Sequence, residues 1–504
     1  MCFCIRVVAS DSSVIYEKAY PTGEQVLLAD VLAAAGLHQD RPCGGRGVCG
    51  KCAVRAEGAL SPMTDAEAAH LTQEQIDSGV RLACVARALG TTTMYYNIDR
   101  ANMQGLTEGF LKKFSLCPPE ASHGAGLAVD IGTTTVACYL YDLQNGHRLG
   151  SLCVKNPQRE HGADVISRVD YALHGGLEQL REAITACISA AESSLCERAG
   201  VAAPVSRVIT GNTAMLHFLT ATDPSPMAAS PFLIKRAFGE VLRGETAATY
   251  LPRCISAFIG ADITSALLAS GLCHDGGKTA LLMDIGTNGE MALLHEGKLI
   301  CCSTAAGPAL EGAGISCGAM AVDGAIDRVT VENGKFSCHL IGDRQDIKPV
   351  GLCGTGLIDA VASLLEIEEL DETGYMEDDA DICGCTLTRG DIRQVQLAKA
   401  AIRAGLETLL HEAGVGYDDI DEVALAGGFG SYLHPETCAA IGLIPRELVG
   451  KIRVLGNAAG SGAAMMLLSA EERAFSEEIA QRAEVIELST NPVFMQRYVD
   501  EMYF

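Results

Sequence analysis

Short apolar runs separated by turn chemistry fill the first part of the chain. Residues 3–9 and 14–19 predict two strands around the polar turn Ser-Asp-Ser-Ser, and VLLADVLAAAGL (26–37) predicts an amphipathic helix ending in Gly36. A loop rich in glycine and cysteine comes next. After it, CAVRAEG (52–58) predicts a strand, 64–78 a helix, and GVRLACVARAL (79–89) the closing segment of a compact unit over 1–97. The pattern loses its period over 98–124, where CPPEASHGAG brings a proline pair and small polar residues, and a linker is expected there.

Beyond the linker the pattern repeats. LAVDIGTTTVACYLYD (127–142) and LLMDIGTNGEMALLHEG (281–297) each run an apolar strand into Asp-Ile-Gly-Thr and on into a second strand. Asp130 and Asp284 lie 154 positions apart, the length of a domain lobe and too long for a solenoid repeat. A duplicated lobe is expected, 125–257 and 258–470. A charged helical segment with an aromatic tail, 471–504, is expected to pack back on the body.

A length of 504 residues and an apolar fraction of 48% fit a multidomain globular protein. No run of eighteen uncharged apolar residues occurs, and MCFCIRVVASDSS lacks a basic-then-apolar secretory signal, so no membrane span and a cytoplasmic location are expected. The formal net charge of -25 repels phosphate backbones and anionic lipids, which argues against nucleic-acid or membrane-surface binding. A soluble partner or a small ligand fits better. The 21 cysteines are not a disulfide framework in a reducing compartment. Cys138, Cys187, Cys254 and Cys338 stand singly and are expected to be small buried hydrophobes. Such thiol density points to an anaerobic cell.

The loop RPCGGRGVCGKC (41–52) carries Cys43, Cys49 and Cys52 as C-x5-C-x2-C, and Cys84 follows after 31 residues. Four thiolates, three from one loop and one from a distant strand, suit a 2Fe-2S cluster. Gly44, Gly45, Gly47 and Gly50 let the chain wrap closely and aim N–H groups at sulfur, and Arg46 adds a cation. A structural zinc site would want a second Cys knuckle, and a redox dithiol a βαβ context; both remain alternatives, as does chance clustering of buried cysteines. The order of elements resembles the β-grasp ferredoxin fold over 1–97, with five residues between the first two ligands where plant-type ferredoxins have four.

An Asp at a strand end followed by Gly-Thr makes a tight turn whose N–H groups and hydroxyls converge, a seat for phosphate oxygens. Its carboxylate can hold Mg2+ or its water. EVALAGGFGSYL (422–433) runs a strand into Gly427, Gly428 and Gly430, a loop on which adenosine can lie, although alone it reads equally as a helix-capping turn. No G-x-x-x-x-G-K-[ST] is present. Together the three segments resemble the phosphate and adenosine motifs of the actin, sugar kinase and Hsp70-like (ribonuclease H-like) ATPases, over about 125–470. Nothing marks a sugar pocket.

The fold class expected is thus α/β multidomain, a β-grasp 2Fe-2S domain followed by a two-lobed ATPase. Nearly the full length resembles the reductive activators of corrinoid proteins, through the four cysteines, VDIGTTTV, VITGNTAM, MDIGTNGE, AAGPALEGAGI, CGTGLID, LAGGFG and the tail NPVF. The resemblance implies one-electron, ATP-dependent reduction of a Co(II) corrinoid protein of a methyltransferase system to Co(I), with a low-potential electron donor upstream and an association of two copies in view. It implies a cluster on Cys43, Cys49, Cys52 and Cys84, and Mg2+ oriented by Asp130 and Asp284. ATP would lie on Gly132, Thr133, Thr134, Gly286, Thr287 and Asn288, with Gly427, Gly428 and Gly430 beneath adenosine. Glu290 is the candidate for orienting the attacking water. The short interval between cluster and ATPase implies that any middle domain of larger members is reduced. Two other readings stay open, an activator of a different low-potential enzyme and a cluster-gated redox sensor.

Overall fold

The computed structural model describes residues 2–8, 14–35, 37, 45, 47, 50, 52–96, 113–244, 247–274, 277–332, 334–342, 348–427 and 433–504. By compactness the chain forms two units, 1–101 with 156–184, and 102–155 with 185–504.

In the first unit, Cys2–Val8 pairs antiparallel with Val14–Pro21 and parallel with Arg87–Tyr95, which in turn pairs antiparallel with Ala53–Leu60. Val80–Leu82 extends the far edge. Phe3, Ile5 and Val7 alternate inward and bury against the helix Leu28–Ala34 through Leu28, Val31 and Leu32. The helix starts later than its pattern suggests. Val26–Leu27 is drawn into the sheet opposite Ala88 and Arg87. The helix expected over 64–78 is two, Asp65–His70 and Gln73–Asp77. Between them Leu71 turns inward to pack with Cys52, Leu82 and Cys84, a burial that a continuous helix would forfeit.

The second unit holds two six-stranded sheets that share a five-strand plan and differ in the sixth strand. In one, Ala125–Ile131, Thr135–Asp142 and Arg148–Lys155 form an antiparallel meander, and Ser206–Gly211 and then Ala248–Leu251 add in parallel beside the first strand. In the other, Ala280–Ile285, Gly289–His295 and Lys298–Thr304 form the meander, with Glu422–Ala426 and Ile452–Gly456 in parallel. The duplicated sequence is thus a duplicated topology. The helices Ala261–Ser270 and Ala458–Leu468 pack on each other, and a Cβ at Gly462 would lie 2.0 Å from the Ser265 carbonyl oxygen, so only glycine permits this approach.

The tail packs back on the body as expected. Helix Pro492–Asp500 lies on the long helix Arg389–Ala413, and the buried Lys399 Nζ donates to the carbonyls of Glu501 and Tyr503. Cys138 and Cys254 are buried and Cys187 half-buried. Cys338 departs from expectation, because it forms a disulfide with Cys383, 45 positions away. The hairpin Ala325–Glu332/Lys335–Leu340 and the smaller one, Ala380–Ile382/Cys385–Leu387, bring the two together. No helix among the described residues is long and apolar enough to cross a membrane.

Candidate functional site: a thiol loop and paired phosphate hairpins

In the first unit the Cys52 and Cys84 sulfurs lie 3.1 Å apart and buried, although 32 positions separate them. Glu67 fixes that approach. Its carboxylate closes a capping box on Thr64, accepts from Arg81 Nε at 2.8 Å and Nη2 at 3.0 Å, and from the Leu82 N–H at 3.2 Å. Burial pushes its pKa up, but these hydrogen bonds outweigh that and hold it below the usual carboxylate range. The strand end bearing Cys84 is thereby tied to the helix. The Ala83 N–H adds a bond to the Cys52 carbonyl at 2.9 Å. Gly45, Gly47 and Gly50 adopt φ of +81°, +74° and +67°, so the loop curls in a way L side chains resist. Two close thiols, one at the end of a glycine-bent loop and one beyond a distant strand, fit a shared iron. Cys43, Cys49, Gly44 and Arg46 lie outside the described residues.

In the second unit each of the two Asp-Ile-Gly-Thr turns is closed by its glycine, one over three residues and the other over two. Gly132 N–H bonds the Thr135 carbonyl and Gly286 N–H the Asn288 carbonyl, each at 2.9 Å, so both chains reverse within a few residues of their aspartates. Thr134 Oγ1 and Thr287 Oγ1, one from each turn, both donate to Glu311 Oε2, at 2.9 and 3.0 Å. Thr133 Oγ1 accepts from Asn212 Nδ2 at 3.3 Å. Asp130 Oδ2 accepts from Asn457 Nδ2 at 2.9 Å. Both asparagines also cap helices, Asn212 through the Met215 N–H and Asn457 through the Gly460 N–H.

The charge in this site is one-sided. Burial pushes the Asp130 carboxyl up to about 6, although the Asn457 bond pulls down. Burial and then the charges of Asp130 and Glu311 push Asp284 up to about 7. Asp262, at the start of helix Ala261–Ser270, is raised by burial and by Asp284 and Asp130, and Glu290 by burial, Asp262 and Asp284. Carboxylates that raise one another in this way suit a divalent cation, which would favour their charged forms. Gly427 follows the strand Glu422–Ala426 at φ +92°, where a Cβ would lie 2.6 Å from Asp284 Oδ1. Glycine at 427 is therefore a steric requirement of the site. Gly428 and Gly430 lie outside the described residues.

The structure thus brings together Asp130, Asp284, Thr134 and Thr287, with Gly132, Thr133, Gly286 and Asn288 in the same two turns. Glu290 stands opposite Asp284 in the hairpin register, 8% exposed, with its side chain bonded to Asn288. Sequence reasoning missed Glu311, Asp262, Asn212 and Asn457. A Gly-Asn pair at a strand end, 211–212 and again 456–457, was the available signal for the two asparagines.

A model of the 2Fe-2S iron-sulfur cluster binding domain matches residues 16–89. Models of the RACo middle region and of the C-terminal, ASKHA domain of RACo match 125–275 and 278–504. The corrinoid activation enzyme RamQ of Eubacterium limosum is 35% identical over 425 residues, 75% of this chain and 70% of that protein. The chain belongs to the RACo family. A [Co(II) methylated amine-specific corrinoid protein] reductase of Methanosarcina barkeri is 27% identical over 419 residues, 75% of this chain and 77% of that protein. A solved reductive activator for corrinoid, iron-sulfur protein matches with TM-score 0.70 and 27% identity, covering 100% of this chain and 98% of its own. The RACo fold, a ferredoxin domain followed by an ASKHA domain, is the fold of this chain. The matched RACo middle region, 125–275, contains the first hairpin.

Proposed function

We propose that the protein is an ATP-dependent reductive activator that returns a Co(II) corrinoid protein to Co(I). The observation that carries this is the pairing, in one chain, of a thiol loop fitted to a 2Fe-2S cluster and two phosphate hairpins that meet at Glu311. The activities by which RamQ and the M. barkeri reductase are named supply the substrate class. Cys43, Cys49, Cys52 and Cys84 would hold the cluster, which when bound supplies one electron at a time. Thr133, Thr134 and Thr287 would take the phosphate oxygens, together with the backbone of Gly132, Gly286 and Asn288. Asp130 and Asp284 would hold Mg2+, and Gly427, Gly428 and Gly430 would underlie adenosine.

ATP is needed because an acceptor below the donor in potential must be lifted. A change of about 5.5 kcal/mol, enough to invert a 1:99 equilibrium, offsets roughly 240 mV for one electron. A low-potential protein donor, work in the cytoplasm and association of two copies belong to the same reading. The test is anaerobic: the reduced protein is mixed with a Co(II) corrinoid protein and Co(I) absorption is recorded with and without Mg-ATP. Co(I) that forms only with ATP supports the reading. A cluster that bleaches and reoxidises while no Co(I) forms overturns it.

A further inference from the structure

Glu311 lies in AAGPALEGAGI, on the short turn Pro308–Glu311, with no local pattern to single it out. Its Oε2 accepts hydroxyls from both phosphate turns, Thr134 at 177 positions' separation and Thr287 at 24. Its Oε1 would lie 3.3 Å from a Cβ built on Gly286, so the carboxylate sits over the second turn itself. These hydroxyls are the ones the site offers to a terminal phosphate. A phosphate that accepted them would free the lone pairs of the Glu311 carboxylate beside it. Glu290 lacks this position. It is buried on its strand and engaged by Asn288, and neither phosphate-turn hydroxyl bonds to it among the described contacts.

We propose that Glu311 orients the water that attacks the terminal phosphate of ATP and takes up its proton. The water oxygen bonds to the γ-phosphorus as the bond from that phosphorus to the bridging oxygen breaks. ADP leaves with that oxygen, the water proton passes to the Glu311 carboxylate, and inorganic phosphate is the second product. The same carboxylate holds the two threonine hydroxyls on one oxygen. This rests on the ATP site of the proposed function.

The experiment uses the full-length holoprotein as wild type, Glu311→Gln and Glu311→Ala. Mg-ATP affinity is measured by calorimetry and hydrolysis in a single turnover, with the cluster absorption and far-UV dichroism as checks on folding. Glutamine keeps an oxygen for the threonines but accepts no proton. The expected result is Glu311→Gln binding Mg-ATP within about threefold of wild type while hydrolysing it about 100-fold more slowly or worse. Hydrolysis by Glu311→Gln within about tenfold of wild type overturns the proposal. So does loss of binding in folded Glu311→Gln, which would make Glu311 a phosphate-site positioning residue. A wild type that binds no ATP instead overturns the ATP site itself.

Discussion

Asp284→Asn makes the cost of the site measurable. In the folded chain the Asp284 carboxyl is raised from 3.8 to about 7, first by burial and then by the charges of Asp130 and Glu311. Asp262 and Glu290 face the same space. A carboxyl raised in this sense costs the fold nothing below about pH 4, costs more with each pH unit up to about 7, and is constant above that. At about 1.4 kcal/mol per unit the full cost is about 4 kcal/mol. Water reaching the half-buried group lowers this to about 2 to 4 kcal/mol. The nucleotide-free Asn variant should therefore melt higher than wild type at pH 8, with the two curves converging toward pH 4.5. Differential scanning calorimetry at both pH values reads this directly. Mg-ATP should stabilise only the wild type, by about 2.7 kcal/mol at a hundred times its Kd. Equal melting at pH 8, or a less stable Asn variant there, would refute the claim that this carboxylate is a strained charge awaiting a cation.

Gly427→Ala places a methyl 2.6 Å from Asp284 Oδ1 at a φ of +92°, and should weaken nucleotide binding at least tenfold by the order of such strain, as seen in a fluorescent-nucleotide titration. Cys84→Ser should abolish the visible cluster absorption while leaving Mg-ATP affinity unchanged, because the thiol loop and the phosphate turns belong to separate units. Lys399→Met leaves the Glu501 and Tyr503 carbonyls without their buried donor, a loss of about 2 to 4 kcal/mol that hydrogen exchange should report as lost protection in the helix Pro492–Asp500.

The phosphate hairpins were legible because Asp-Ile-Gly-Thr between two apolar runs leaves the chain few ways to turn, and its recurrence announces a second lobe. Cys52 and Cys84 were legible as a pair because thiol spacing beside glycine is rarely neutral. Glu311 was not, since its meaning resides in hydroxyls 177 and 24 positions away. Asp262 lay hidden for a similar reason, an acidic residue in the first turn of a helix being ordinary until the fold sets it beside Asp284. The Cys338–Cys383 bond was hidden by an assumption about the compartment rather than by the sequence. The break in the expected helix 64–78 came from a local choice, the inward turn of Leu71.

The helix Ala458–Leu468 follows a strand of the second sheet yet packs on strands of the first, with Leu467 1% exposed or less and within 3.1 Å of a Cβ built on Gly126. During synthesis the first lobe is therefore complete in its strands long before its covering helix exists. Roughly 200 residues separate the end of helix Ala261–Ser270 from that cover, a wait of about 10 to 40 seconds at ribosomal speeds. Over that interval Ala128, Val208, Ile263 and Leu267 lack the helix that completes their buried cluster. Expression of the first lobe alone would make the interval permanent, and slower growth temperatures or chaperone supply should govern the yield of the whole chain.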